Sequence, residues 1–322
     1  MSRADRSRPP APGPRKPCPF PAFEDRRLDN GLRLLMAPMR AFPIVSAEIL
    51  LATGSQHNPP GQPGLSRLHG SLLTEGTEQR SGPELARAIE DLGGSLSSGA
   101  GWNLGWAEVN LLGAHVEAGL DLLAETTRSV AFHDDQVQRV RDVQAAHLLR
   151  RGNLPKSLAE DAFHRLLYAG TPYAEPLDGR ADAVESFTRA DVVDFHRRHV
   201  QPESSCLVAI GDFDPEWLHD RAQALWGDWS ADGQSSVQDP TITPATLDTP
   251  RVVVVDRPGA AQTAFHLGHA GPPRRHPDFH TIMVLNVLFG GKFTSRLNLN
   301  LRERHGFTYG VQSQFARRRG PG

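Results

Sequence analysis

Fourteen histidines and two cysteines are the chain's obvious stock of metal-capable side chains. Two of the histidines, His196 and His199, stand three residues apart in Phe195-His-Arg-Arg-His199, a spacing that on a helix lets both rings face one ligand. The other histidines have no ligand spacing among themselves. Cys18 and Cys206 lie far apart, so they make neither a disulfide framework nor a zinc knuckle, and a reducing compartment fits. Trp102, Trp106, Trp217, Trp226 and Trp229 are scattered near element ends, where aromatics ordinarily serve packing. Arg317-Arg318-Arg319 reads as a short solvated charge run.

These residues must be positioned by a mixed set of strands and helices. Residues 32–36 and 44–53 are rich in branched apolar side chains around the turn-like 38–43, which predicts a strand pair. Helical apolar spacing follows over 65–73, and 83–92 reads as a helix with Pro83 in its first turn and Gly93-Gly94 beyond its end. Two glycine-punctuated strands run through Leu112. Residues 115–130, 134–150 and 155–168 each carry apolar residues at intervals of three and four, the mark of amphipathic helices. Another helix starts after Thr188 as N-cap, then a strand over 204–210 and a helix over 215–226. Residues 230–250 have the Ser/Thr/Pro/Asp composition of a linker. Beyond it, strands are expected at 251–256, 263–267 and 307–315, with helices at 277–288 and 294–304. The repeated order strand, turn, strand, proline-rich loop, helix suggests a duplicated unit.

The expected fold class is therefore α+β: two related domains, each a largely antiparallel sheet with helices packed on it. The divisions are a disordered Pro/Arg-rich leader (1–23), a first domain (24–229), a linker (230–250) and a partial, truncated second domain (251–322). Lys+Arg of 35 against Asp+Glu of 37 gives a formal charge of -2, with no global positive field to draw nucleic acid or anionic lipid. No stretch approaches the roughly 18 apolar residues of a membrane span. A soluble, cytoplasmic protein is expected, or a periplasmic one if the true N-terminus differs.

Several segments in order then resemble one family, that of pitrilysin, insulin-degrading enzyme and the mitochondrial processing peptidase. They are Leu28-Asp-Asn-Gly-Leu-Arg33, Gly64 through Glu75-Gly-Thr77, Ala169-Gly-Thr-Pro-Tyr173, Phe195-His-Arg-Arg-His199, Gly211-Asp212, Phe289-Gly-Gly-Lys-Phe-Thr-Ser-Arg-Leu297 and Leu301-Arg-Glu-Arg-His-Gly-Phe-Thr-Tyr309. In active members the helix after the residue matching Gly64 carries His-x-x-Glu-His. Its two histidines bind zinc and its glutamate activates the metal's water. Here that stretch reads Arg67-Leu68-His69-Gly70-Ser71. Arg67 and Ser71 take the histidine positions and Gly70 the glutamate. An arginine offers no lone pair, a serine is a poor zinc ligand, and a glycine supplies no base. The third ligand, a later glutamate, falls near Ala146-His147, where no carboxylate stands.

The resemblance also implies that an arginine and a tyrosine seven residues apart hold the substrate carbonyl, and Arg302 and Tyr309 match them. Both are donors suited to charge growing on a carbonyl oxygen. The implied function is a non-catalytic subunit of a heterodimeric zinc metalloendopeptidase, with no cofactor of its own. Zinc would sit in a homologous partner chain, and an unfolded peptide would be the substrate. Two alternatives are a structural or assembly homologue, and a peptidase with an unconventional metal site at His69 and His147. His69 itself reads first as a structural histidine.

Overall fold

The computed structural model describes residues 13, 14, 17, 20–230, 239–245 and 249–322; most of the expected leader and of the expected linker lies outside them. Six strands form one sheet: β1 (Glu24–Arg27), β2 (Arg33–Pro38), β3 (Ile44–Leu51), β4 (Ser95–Ala100), β5 (Gly105–Leu112) and β6 (Cys206–Gly211), in the order β1-β2-β6-β3-β5-β4. All neighbours are antiparallel except β2 and β6. The mixed, mainly antiparallel sheet with packed helices is the α+β class expected.

One pairing differs from expectation. β2 and β3 do not bond to each other, because β6 lies between them, with Leu34 opposite Leu207 on one side and Ala47 opposite Ala209 on the other. Alternation explains the seat: Leu207 and Ala209 are buried on the same face as Val45, Ala47, Ile49 and Leu51. A central place gives this apolar strand ladder partners on both edges.

The helices are α1 (Leu65–Leu72), α2 (Gly82–Asp91), α3 (Val116–Arg128), α4 (Asp134–Gly152), α5 (Pro155–Leu167), α6 (Ala181–Ser186), α7 (Arg189–His199), α8 (Pro215–Trp226) and α9 (Phe279–Phe289). Their starts follow local chemistry. Ser81 and Glu84 form a capping box on α2, Thr188 and Asp191 form one on α7, and Asp214 accepts from the Glu216 and Trp217 amides at the start of α8. The main core joins the apolar strand face to buried residues of these helices, among them Leu68, Leu120, Leu123, Val192 and Trp226. No helix among the described residues is long and apolar enough to cross a membrane.

Residues 251–322 depart furthest from expectation. They carry α9 and a π-helical turn (Asn298–Arg304), and none of the strands expected at 251–256, 263–267 and 307–315. Branched and aromatic residues favour an extended backbone, but a ladder also needs a neighbour at hydrogen-bonding distance. None of these segments has one: Val252 is 87% exposed and Leu267 97%. The expected linker is not wholly solvated either, since Ile242 packs with Leu167, Tyr168 and Tyr173.

Candidate functional site

Helix α1 begins where two backbones nearly touch. Gly64 has φ +98°, and a Cβ there would lie 2.7 Å from the Asp178 carbonyl oxygen, so a side chain would push the 178–179 turn away. Gln144 of α4, buried between them, donates from Nε2 to the Gly64 carbonyl (3.1 Å) and the Asp178 carbonyl (2.9 Å). One amide therefore ties the start of α1, the middle of α4 and the turn carrying Asp178.

That tie fixes the Asp178 carboxylate between the two helices. Arg67 Nε of α1 is 3.6 Å from Oδ1, His147 Nε2 of α4 is 3.4 Å from Oδ2, and Arg151 reaches Oδ2 at 4.0 Å while its other arm holds Asp161 at 2.5 Å. The residues at and beside the inferred ligand positions thus form an ion-pair cluster around one carboxylate. Such an arrangement holds two helices together and commits the Asp178 carboxylate to the side chains around it.

Gly70, at the position of the family's base, is closed off more firmly. A Cβ there would lie 2.5 Å from the carbonyl carbon of Gly99 and 2.7 Å from its oxygen, both in the backbone of β4. No glutamate side chain fits without displacing α1 from the sheet. Ser71 is half-buried and offers only a hydroxyl. A zinc ion with its hydrolytic base therefore does not fit the residues present.

His69 is fully buried, and its Nε2 lies 3.0 Å from Nδ1 of His196. The two rings share one hydrogen bond whose direction is set by their tautomers. Burial pushes the His196 pKa down to about 4, and burial with the neighbouring His196 and His199 holds His69 well below the ordinary range. His199 turns instead toward His57, ring centroids 5.5 Å apart, and burial lowers its pKa to about 4. The two histidines of α7 thus serve different neighbours, not one ligand, and His69 and His147 face different partners. Among the described residues no group of three or more His, Cys, Asp or Glu side chains could hold a metal.

Arg302 and Tyr309 lie in the other half of the chain. Arg302 sits in the π-helical turn, its guanidinium 4.0 Å over the Phe293 ring and 3.6 Å from Glu303. Gly306, at φ +63°, ends the turn and donates to the Arg302 carbonyl at 3.0 Å. Tyr309 is 95% exposed. No hydrogen bond or cation–π contact joins the pair. Asp178, Gln144 and Arg151 escaped the sequence reading; Asp178-Gly179 signals a turn, but nothing in it says which helices the turn will touch.

Known proteins share this chain's family and fold. Residues 40–180 match the family model for Insulinase (Peptidase family M16), and residues 186–322 match that for the Peptidase M16 inactive domain. An uncharacterized zinc protease of Mycobacterium tuberculosis is 28% identical over 297 residues, covering 92% of this chain and 68% of the relative. Subunit 1 of the mitochondrial cytochrome b-c1 complex of Bos taurus is 23% identical over 270 residues, covering 84% of this chain and 56% of the relative. Among solved structures, a Helicobacter pylori protease has a TM-score of 0.85 at 20% identity, covering 94% of this chain and 73% of that one. A peptidase M16 inactive domain from Pseudomonas fluorescens has a TM-score of 0.81 at 23% identity, with 94% and 72% covered.

Proposed function

We propose that the chain, which belongs to the insulinase (peptidase M16) family, is a non-catalytic subunit of a two-chain zinc metalloendopeptidase. The observation that carries this reading is the replacement of the hydrolytic helix. Arg67 pairs with Asp178, and the β4 backbone fills the space beside Gly70 where a base would stand. Zinc and the hydrolytic base would belong to a homologous partner that keeps His-x-x-Glu-His, consistent with relatives named zinc proteases.

Arg302 and Tyr309 would be this chain's contribution, both directing donors at the carbonyl of an unfolded peptide held between the subunits. Their placement is compatible with that role. Tyr309 is open to solvent, while Arg302 is partly buried, held by the Phe293 ring and Glu303 with its Nη1 buried and lacking a hydrogen-bond partner among the described residues, so the role requires the guanidinium to turn outward when a partner docks. On the same reading, residues 24–229 and 251–322 are two peptidase-like units with 230–250 between them.

The test is reconstitution with a zinc-bearing homologue and measurement of peptide turnover. Arg302→Ala and Tyr309→Phe should each lower kcat/KM by roughly a hundredfold, the order seen when a carbonyl donor is removed. Unchanged turnover in both variants would remove the substrate-holding role. A second reading, a purely structural homologue, is favoured by the similarity to the bovine cytochrome b-c1 subunit. It predicts a stable complex with no peptide turnover in any variant.

A further inference from the structure

Arg318, in a run expected to be solvated, is 6% exposed. Its guanidinium lies 4.0 Å over the Trp102 ring, 4.6 Å from the Tyr173 ring and 4.9 Å from the Tyr168 ring. The three rings stand edge to face: Trp102 and Tyr173 at 5.5 Å, Tyr168 and Tyr173 at 5.5 Å. Among the described residues Arg318 forms no salt bridge; one arm donates to Nε2 of His164 at 3.3 Å, and Nη1 is buried with no partner among them. The cation is therefore held chiefly by ring faces, the way aromatic cages hold cationic ligands.

The chain on either side is seated like a bound peptide. The Arg319 amide donates to Asn103 Oδ1 at 3.0 Å, and its guanidinium pairs with Asp239. Gly320 lies against Ile242 and Tyr173, and the Tyr168 hydroxyl donates to the Pro321 carbonyl at 3.3 Å. The receptor side is braced independently of its occupant: Asn103 donates to the Tyr173 hydroxyl and to Gln56 (2.6 Å), and Gln56 in turn donates to Asp239 (2.7 Å). A ring box for one guanidinium, a carboxylate for the next, and backbone hydrogen bonds at the Arg319 amide and the Pro321 carbonyl constitute a reader of two consecutive arginines.

We propose that the Trp102–Tyr168–Tyr173 cage with Asp239 is a recognition site for an Arg-Arg segment of a basic peptide, and that Arg318-Arg319 is its intramolecular occupant. A tethered occupant competes at an effective concentration of about millimolar, so outside peptides bind weakly until it is displaced. The site does not involve Arg302, Tyr309 or any zinc-bearing partner, so its test is independent of the function proposed above.

The experiment is fluorescence anisotropy of a labelled Ala-Arg-Arg-Gly-Pro peptide with the full chain. Arg318→Ala should bind it at least roughly tenfold more tightly than the wild-type chain. Trp102→Ala or Asp239→Asn in the Arg318→Ala background should reverse that gain, and a Lys-Lys peptide should bind more weakly than Arg-Arg. Arg318→Gln, which keeps the length of the side chain, replaces Arg318→Ala if thermal melting shows that the latter is unfolded. Equal affinity of the wild-type and emptied chains, or a gain that survives loss of both Trp102 and Asp239, would overturn the site.

Discussion

The Asp178 cluster and the Arg302/Tyr309 segment treat their polar groups in opposite ways. Around Asp178, three cationic or titratable side chains converge on one carboxylate, Gln144 stitches the backbones, and Gly70 is pressed against β4. Around Tyr309 the phenol meets only solvent. The first region is closed within the chain, and in the second the phenol is left open to solvent. A site that has been packed shut cannot be reopened by restoring its ligands, whereas an exposed phenol such as that of Tyr309 can be altered with little cost to the fold.

The sharpest way to break this contrast is to restore the base. Gly70→Glu forces a side chain into the β4 backbone and buries a carboxylate with no partner, so it should destabilise the protein by about 4 kcal/mol. A urea midpoint unchanged from wild type would show that α1 is free to move off the sheet. The triple replacement Arg67→His, Gly70→Glu, Ser71→His should likewise fail to bind zinc in a folded chain, as read by metal content after gel filtration.

Acid probes the half-buried histidines behind α1. His196 and His199 have folded pKa values lowered to about 4 from an ordinary 6.5, so the unfolded chain binds more protons between those limits. Their contribution is fully present above about pH 6.5 and is lost as pH falls toward 4. For His196 the span corresponds to about 3 kcal/mol. Protonated His196 can only donate, so its bond to His69 then requires Nε2 of His69 to accept. Denaturant midpoints at pH 7 and pH 5 should differ in the wild type, and differ less in a His69→Leu, His196→Leu variant. Equal pH slopes in the two proteins would show that the pair does not titrate with folding.

How much of this was readable in advance follows the range of each interaction. The cap of α7 at Thr188 was legible because it acts within three residues of sequence, reaching Asp191. The seat of β6 between β2 and β3 was not, because its partners lie more than 150 residues away in sequence and the nearby turn at 39–43 suggested a simpler pairing. The three strands expected after residue 250 failed for the same reason: Val252 and Leu267 carry the right propensity, and propensity supplies no neighbour. At the candidate site, the lost ligands at Arg67, Gly70 and Ser71 were visible as letters. What replaced them was not, since Asp178 and Gln144 become meaningful only once a turn and two helices meet. Arg318 is the strongest case, a charge read as solvated that three ring faces had room to bury.

The smallest expected effect is the one that makes the functional test clean. Tyr309→Phe removes a hydroxyl that makes no hydrogen bond among the described residues, from a ring that is 95% exposed, so stability should stay within about 0.5 kcal/mol of wild type. Thermal melting of the isolated chain checks it. If that holds, a fall in peptide turnover in the reconstituted pair can be assigned to the phenol's contact across the interface. A drop of more than 1 kcal/mol, roughly double the surface range, would instead mean that Tyr309 is packed in solution. The contrast with Asp178 would then disappear, because both regions would be closed within the chain and neither would be waiting for a partner.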